Sequence, residues 1–153
     1  MKDEDSVTKS VVTGVLVKNA EGKLLLVKKA GNRGPYGGTY LTPGGGVNDG
    51  EPVDDAALRE LYEETGVKVR NLQRAWFDDD VTEDWQGVKR HFICLIYTAE
   101  YVSGDLNPTE GNDDEFESVG WFSSQELHTI PLAPPLMEFL KLHGELADAS
   151  VEN

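Results

Sequence analysis

The segment from Gly45 to Val67, GGVNDGEPVDDAALRELYEETGV, constrains this chain more than any other. Within it Ala57, Leu58, Leu61 and Thr65 recur at about 100° per residue, which predicts an amphipathic helix over Val53 to Thr65. Pro52 suits the start of that helix, Asp54 and Asp55 complement its positive dipole end, and Gly66 suits the left-handed residue that closes it. Glu60, Glu63 and Glu64 then stand at i, i+3 and i+4, with their carboxylates inside an arc of about 100°. Unaided, three such charges repel one another and destabilise the helix. Hard divalent ions take oxygen ligands and keep waters while also binding phosphates, so the spacing suggests a metal platform. Leu61, on the Leu58 side, would anchor the helix in a core while the glutamates face a cleft.

Arg59 lies next to Glu60 and four residues before Glu63. As an ordinary helical ion pair it would contribute only about 0.2–0.5 kcal/mol. With charge-assisted hydrogen bonds it would also fix the orientation of a glutamate.

Gly45, Glu51, Arg59, Glu60, Leu61, Glu63, Glu64, Gly66 and Val67 together satisfy G-x5-E-x7-R-E-U-x-E-E-x-G-U, U being aliphatic. The segment thereby resembles the signature of the Nudix hydrolases. That resemblance implies hydrolysis of a nucleoside diphosphate linked to another moiety, dependent on Mg2+ with Mn2+ as a substitute. It implies a metal set of Gly45, through a carbonyl near the first glycine, with Glu60, Glu63 and Glu64. It gives Arg59, Glu60, Glu63, Glu64 and Glu115 as catalytic candidates, with Glu60 and Glu115 as alternative general bases. Glu51 would be structural, and Gly50 and Gly66 would serve turns. Upstream, Tyr40, Leu41 and Thr42 precede Pro43-Gly44-Gly45 where many members carry a tryptophan and then a leucine.

A length of 153 residues suits one domain. We expect a flexible segment over residues 1–10, a single domain over 11–145 and a flexible tail over 146–153. A formal net charge of -14 repels polyanions at long range, which disfavours nonspecific nucleic-acid polymers and anionic membranes as partners. A phosphate substrate must then be captured locally, and a bound cation can invert the field inside one acidic pocket. Cys94 is the only cysteine; it lies in the apolar run Phe92 to Ile96 and reads as structural. No secretory signal or spanning segment is recognisable, so the expected location is cytoplasmic.

Val11 to Val17 and Lys23 to Lys28, joined by Asn19-Ala20-Glu21-Gly22, read as an antiparallel hairpin. Gly31 to Gly46 holds seven glycines and two prolines and reads as a loop able to approach a ligand. Val67 to Phe77 and Val88 to Val102 have strand composition, joined by the acidic stretch Asp78 to Asp84. Leu136 to Leu142, entered through Pro134 and Pro135, reads as a second helix packed on the sheet. The expected fold class is α+β or mixed α/β with helices covering a sheet. The resemblance sharpens this to an α/β/α sandwich.

The secondary signatures that mark ADP-ribose, dinucleoside polyphosphate, NADH and coenzyme A hydrolases in this family do not occur, so the substrate stays a small nucleoside diphosphate derivative of open identity. Trp85 is the freest aromatic for stacking on a base, whereas Trp76 and Trp121 read as core. The resemblance also leaves room for a homodimer, and for a sensor domain that binds a nucleotide ligand without turning it over.

Overall fold

The computed structural model describes residues 7–32, 36–83, 86–106 and 116–146. In chain order these form β1 (Thr8–Lys18), β2 (Leu24–Lys29), β3 (Tyr40–Leu41), α1 (Val53–Thr65), β4 (Lys68–Glu83), β5 (Lys89–Ser103), β6 (Phe116–Phe122), a 3-10 turn (Glu126–His128) and α2 (Pro134–Leu142). All six strands join one mixed sheet, ordered β3-β2-β1-β5-β4 with β6 also on β2.

The β1–β2 turn forms where expected. Gly22 takes φ 82°, and the Asn19 side chain accepts from the N–H groups of Glu21 and Lys23 at 3.0 and 2.9 Å. The two strands pair only at Lys18 and Leu24 and then diverge. A strand has two edges: β6 runs along one edge of β2 from Leu24 to Lys29, while the other carries β1 at Leu24 and β3 at Val27 and Lys28. The freed half of β1 is covered instead by the chain after β3. Val15 N–H donates to the Pro43 carbonyl at 2.9 Å, Thr13 N–H to Gly45 at 2.8 Å, and Val47 N–H to Val11 at 3.1 Å.

Period-2 alternation on β1 and β2 divides the core between the two faces of the sheet. Val15, Val17 and Leu25 pack with Ala57 and Leu61 of α1 and with Tyr97. Leu16, Leu24 and Leu26 pack with Leu136, Phe139 and Leu140 of α2. The result is the expected three-layer sandwich. Leu58 is a correction: it is 41% exposed, and Ala56 and Ala57 supply the buried face with Leu61. At 100° per residue, position 58 falls at the margin of the apolar arc, and small alanines bring α1 close to the sheet.

Three further differences concern boundaries. β1 begins at Thr8, paired with Arg90 of β5 in a parallel register that runs to Lys18 and Glu100. Leu146 is buried in the α2-side core rather than in a loose tail. The acidic stretch is strand to Glu83, because its register with β5 satisfies the backbone (Asp78 opposite Cys94, Asp80 opposite Phe92, Glu83 opposite Lys89).

Thr65 ends α1 fully buried, its hydroxyl donating to the Leu61 carbonyl at 2.7 Å and accepting from Val67 N–H at 3.1 Å. Thr65→Val keeps the shape but strips that buried N–H of its acceptor. The expected loss is about 1–3 kcal/mol, read as a lower urea midpoint at unchanged slope.

Candidate active site

Helix α1 is fastened at both ends. Gly66 takes φ 76° and its N–H reaches the Tyr62 carbonyl at 2.8 Å, the left-handed closure that glycine permits. At the other end Asp54 accepts two bonds from Arg74 of β4, at 3.0 and 3.2 Å, and one from the Tyr97 hydroxyl of β5 at 2.6 Å. Arg74 first, then Tyr97, holds the Asp54 carboxyl below its ordinary value. Burial, reinforced by that bond to Asp54, pushes the Tyr97 phenol up to about 12. Asp54 thus ties the helix to the sheet besides facing its dipole.

Arg59 is the hub of the charged face. Its strongest partner is Glu51, met bidentately at 2.8 Å from Nε and 3.0 Å from Nη2. Nη1 reaches Glu60 and Glu63, each at 3.2 Å, and Nη2 reaches the Gly46 carbonyl at 3.0 Å. One planar guanidinium therefore fixes two helical glutamates, an upstream glutamate and the glycine segment together. Glu51 also accepts from Asn48 N–H at 3.0 Å, closing the turn that leads into α1. The sequence showed Arg59 beside Glu60 and Glu63, but its main contact is eight residues back, where only the turn at Asn48 to Gly50 brings Glu51 within reach.

The Glu51 carboxyl lies below its ordinary value of 4.5, chiefly through the Arg59 hydrogen bond and then through Asn48 N–H. A carboxyl depressed in the folded state stabilises above its unfolded pKa, and that stabilisation is lost as pH falls through the folded value. The stability gap between wild type and Glu51→Gln should therefore be constant above about pH 5 and shrink below it. Urea titrations at about pH 7 and about pH 3 showing the same gap would contradict this.

The glycine segment runs past the glutamates in extended form. Its odd residues turn their polar groups to β1: the Gly45 carbonyl accepts from both the Thr13 N–H, at 2.8 Å, and the Thr13 hydroxyl, at 3.2 Å. The Gly45 carbonyl, expected among the metal ligands, thus has both lone pairs engaged by Thr13. Gly44 N–H faces the other way and donates to Glu64 Oε1 at 2.9 Å. In extended backbone the carbonyl of a residue points with its N–H, so Gly44 is the residue that offers a carbonyl to the glutamate side. Gly45 instead makes room for Glu60: a Cβ at position 45 would lie 2.6–2.8 Å from the Glu60 carboxylate atoms.

Glu60, Glu63 and Glu64 share one face as the spacing required, with an oxygen of each in a bond, to Arg59 for the first two and to Gly44 for the third. Among the described residues no three His, Cys, Asp or Glu side chains are gathered closely enough to hold an ion as they stand. The Arg59 guanidinium lies among Glu51, Glu60 and Glu63 instead. The donor set itself, three carboxylates and one carbonyl, is all hard oxygen and fits Mg2+. Glu115 and Trp85 lie outside the described residues.

On the other side of Gly44 to Gly46 opens a cavity of about 300 Å³, one wall of which is built from β4 and β5. Trp76, Asp78 and Asp80 stand directly opposite Ile96, Cys94 and Phe92. Trp76 stacks on Phe139 of α2 with ring centroids 5.5 Å apart, so it serves the core and the cavity at once. Trp121 packs on the α1-side core, edge-on to Tyr101. Cys94 is half-buried in the cavity wall, and burial with the neighbouring aspartates pushes its thiol up to about 11, away from nucleophilic use. Sequence reading missed this cavity, although the period-2 combs Trp76-Asp78-Asp80 and Phe92-Cys94-Ile96 were its visible sign. The register that places them side by side was not.

No helix among the described residues is long and apolar enough to cross a membrane. A family model described as NUDIX domain matches residues 8–142. The chain is 36% identical over 130 residues to the NAD-capped RNA hydrolase NudC of Chromobacterium violaceum, covering 85% of this chain but only 44% of that protein. It is 32% identical over 135 residues to the nucleoside triphosphatase NudI of Escherichia fergusonii, covering 86% of this chain and 94% of that one. The crystal structure of a MutT NUDIX hydrolase from Burkholderia pseudomallei matches at TM-score 0.73 and 28% identity, covering 88% of this chain and 97% of that one. With its glutamate helix, its arginine hub and its glycine segment on a mixed sheet between two helices, this chain belongs to the Nudix family.

Proposed function

We propose that this protein hydrolyses a diphosphate linkage in a nucleoside diphosphate derivative, and that Glu60, Glu63 and Glu64 with the Gly44 carbonyl hold the divalent cation it needs. The observation that carries this is the placement of those three glutamates on one helix face, with Arg59 bonded to Glu60 and Glu63 and Gly44 bonded to Glu64. When bound, Mg2+ would supply charge neutralisation at the phosphates and a lowered pKa for water. The chain's own residues do the rest. Arg59, anchored by Glu51, keeps Glu60 and Glu63 from turning to solvent. Glu60, whose carboxylate would meet a Cβ at Gly45, is our candidate to accept a proton from water attacking a phosphorus held at the glutamate helix.

The relatives named above support the reaction class and leave the substrate open, since one acts on capped RNA and another on nucleoside triphosphates. A capped RNA end carries a diphosphate linkage on a polymer, so the charge argument against nonspecific polymer binding does not remove it. The test is a turnover screen over nucleoside triphosphates, nucleotide sugars, ADP-ribose, dinucleoside polyphosphates and a capped RNA, with and without Mg2+. Metal-dependent release of a nucleotide together with pyrophosphate or phosphate, a sugar phosphate or a second nucleotide, according to the substrate, is the expected result. Tight nucleotide binding with no product under Mg2+ or Mn2+ would overturn it in favour of a sensor domain.

A further inference from the structure

Resting on the reading that the glutamate helix holds the diphosphate, we propose that the adjoining cavity takes the nucleobase and that Asp78 selects a base edge with two adjacent N–H donors, guanine before all others. The cavity meets the glutamate site across a single residue. Gly45 lines it, and a Cβ on the same Gly45 would lie 2.6–2.8 Å from the Glu60 carboxylate atoms. A volume of about 300 Å³ is at the small end of ligand sites and holds one base with part of its sugar, with no room for a second nucleotide.

Its lining sorts the ligand by chemistry. Trp76, Phe92, Phe116 and Phe139 give it aromatic walls, which favour a flat ring. Asp78 and Asp80 stand on the same side of β4 as Trp76 and, with Asp79, whose carboxylate meets His91, they face one cation among the described lining residues, Lys29. That balance repels phosphate from the cavity, so the anionic end of a substrate is turned toward the glutamate helix and its cation. Asp78 and Asp80 are not equivalent. The Tyr36 hydroxyl donates to Asp80 Oδ2. Among the described residues the half-buried Asp78 carboxylate has no hydrogen-bond or ion-pair partner.

A carboxylate only accepts hydrogen bonds, and its two oxygens match two parallel N–H donors. Guanine presents N1–H and its exocyclic amino group side by side. Adenine and cytosine present one amino donor next to a ring acceptor. Uracil and thymine present one N–H between two carbonyls, which face the carboxylate unfavourably. The expected order is therefore guanine, then adenine and cytosine, then uracil and thymine.

Two measurements test this. Calorimetry with GMP, AMP, CMP and UMP, without metal, should give GMP the tightest binding and UMP the weakest, by about 10- to 100-fold. Nucleoside triphosphate kcat/KM under Mg2+ should follow the same order. Asp78→Asn, whose amide can turn either a donor or an acceptor to the base, should collapse the guanine-to-uracil ratio to within a few fold. Asp105→Asn, an exposed change away from the cavity, should leave that ratio untouched. Equal binding of GMP and UMP by the wild type, or an unchanged ratio in folded Asp78→Asn, overturns the assignment. Selective GMP binding without turnover of any substrate in the screen would sustain the cavity assignment and count against the hydrolase reading alone.

Discussion

Glu64→Gln and Glu60→Gln should each lower metal-dependent turnover by about 10²- to 10³-fold or more, the scale of losing one charged group from a preorganised site. The geometry makes these substitutions clean. In Glu64→Gln the new side chain keeps a carbonyl oxygen for the Gly44 N–H, so the glycine segment stays in place. In Glu60→Gln, Arg59 retains its bidentate hold on Glu51 and its bond to the Gly46 carbonyl, so the hub survives. What disappears is one negative charge from the face proposed to hold the cation. Each variant should unfold at the wild-type urea midpoint while its affinity for Mn2+, measured by titration, drops with its rate. Wild-type rates in both variants would remove these glutamates from the chemistry.

The second large effect is expected at Gly44, where a methyl group would break fold and site together. A Cβ there would lie 1.9 Å from the Thr13 carbonyl oxygen and 2.7 Å from the Gly14 Cα, both backbone atoms of a central strand. Neither can swing aside, so the segment must lift from β1 and lose the bonds of Pro43 and Gly45 to Val15 and Thr13. Overpacking of this kind costs about 1–3 kcal/mol or more. Gly44→Ala should therefore lower the urea midpoint and abolish turnover. Gly45→Ala is the informative contrast, because its Cβ meets only the end of the Glu60 side chain, which can rotate away. It should retain stability and lose activity by misplacing that carboxylate. A wild-type midpoint for Gly44→Ala would show that the segment does not lie on β1 as described.

Legibility followed sequence range. Helix α1 was readable to its ends, since period, acidic first turn and terminal glycine all act within a few residues, and the Asn19 to Gly22 turn was readable for the same reason. Asp78 to Glu83 was not: a run rich in aspartate has poor strand propensity, and pairing with β5 overrides it. The glutamate face was legible from the spacing of three residues, but its organiser was seen only in part, because the Arg59–Glu51 pair depends on the path of a turn.

The sequence by itself determined the chemistry offered: three carboxylates on one side of a helix, an arginine among them, glycines before them, and a net charge of -14. Only the tertiary structure decided which atoms face that chemistry. The divergence of β1 from β2 draws the glycine segment onto β1, and backbone alternation then turns the Gly45 carbonyl to Thr13 and Gly44 toward Glu64. The register of β4 on β5 likewise assembles Trp76, Asp78 and Phe92 into one wall. Local sequence sets which groups a helix or strand presents, but which neighbour they meet is fixed by hydrogen-bond registers between segments far apart in the chain.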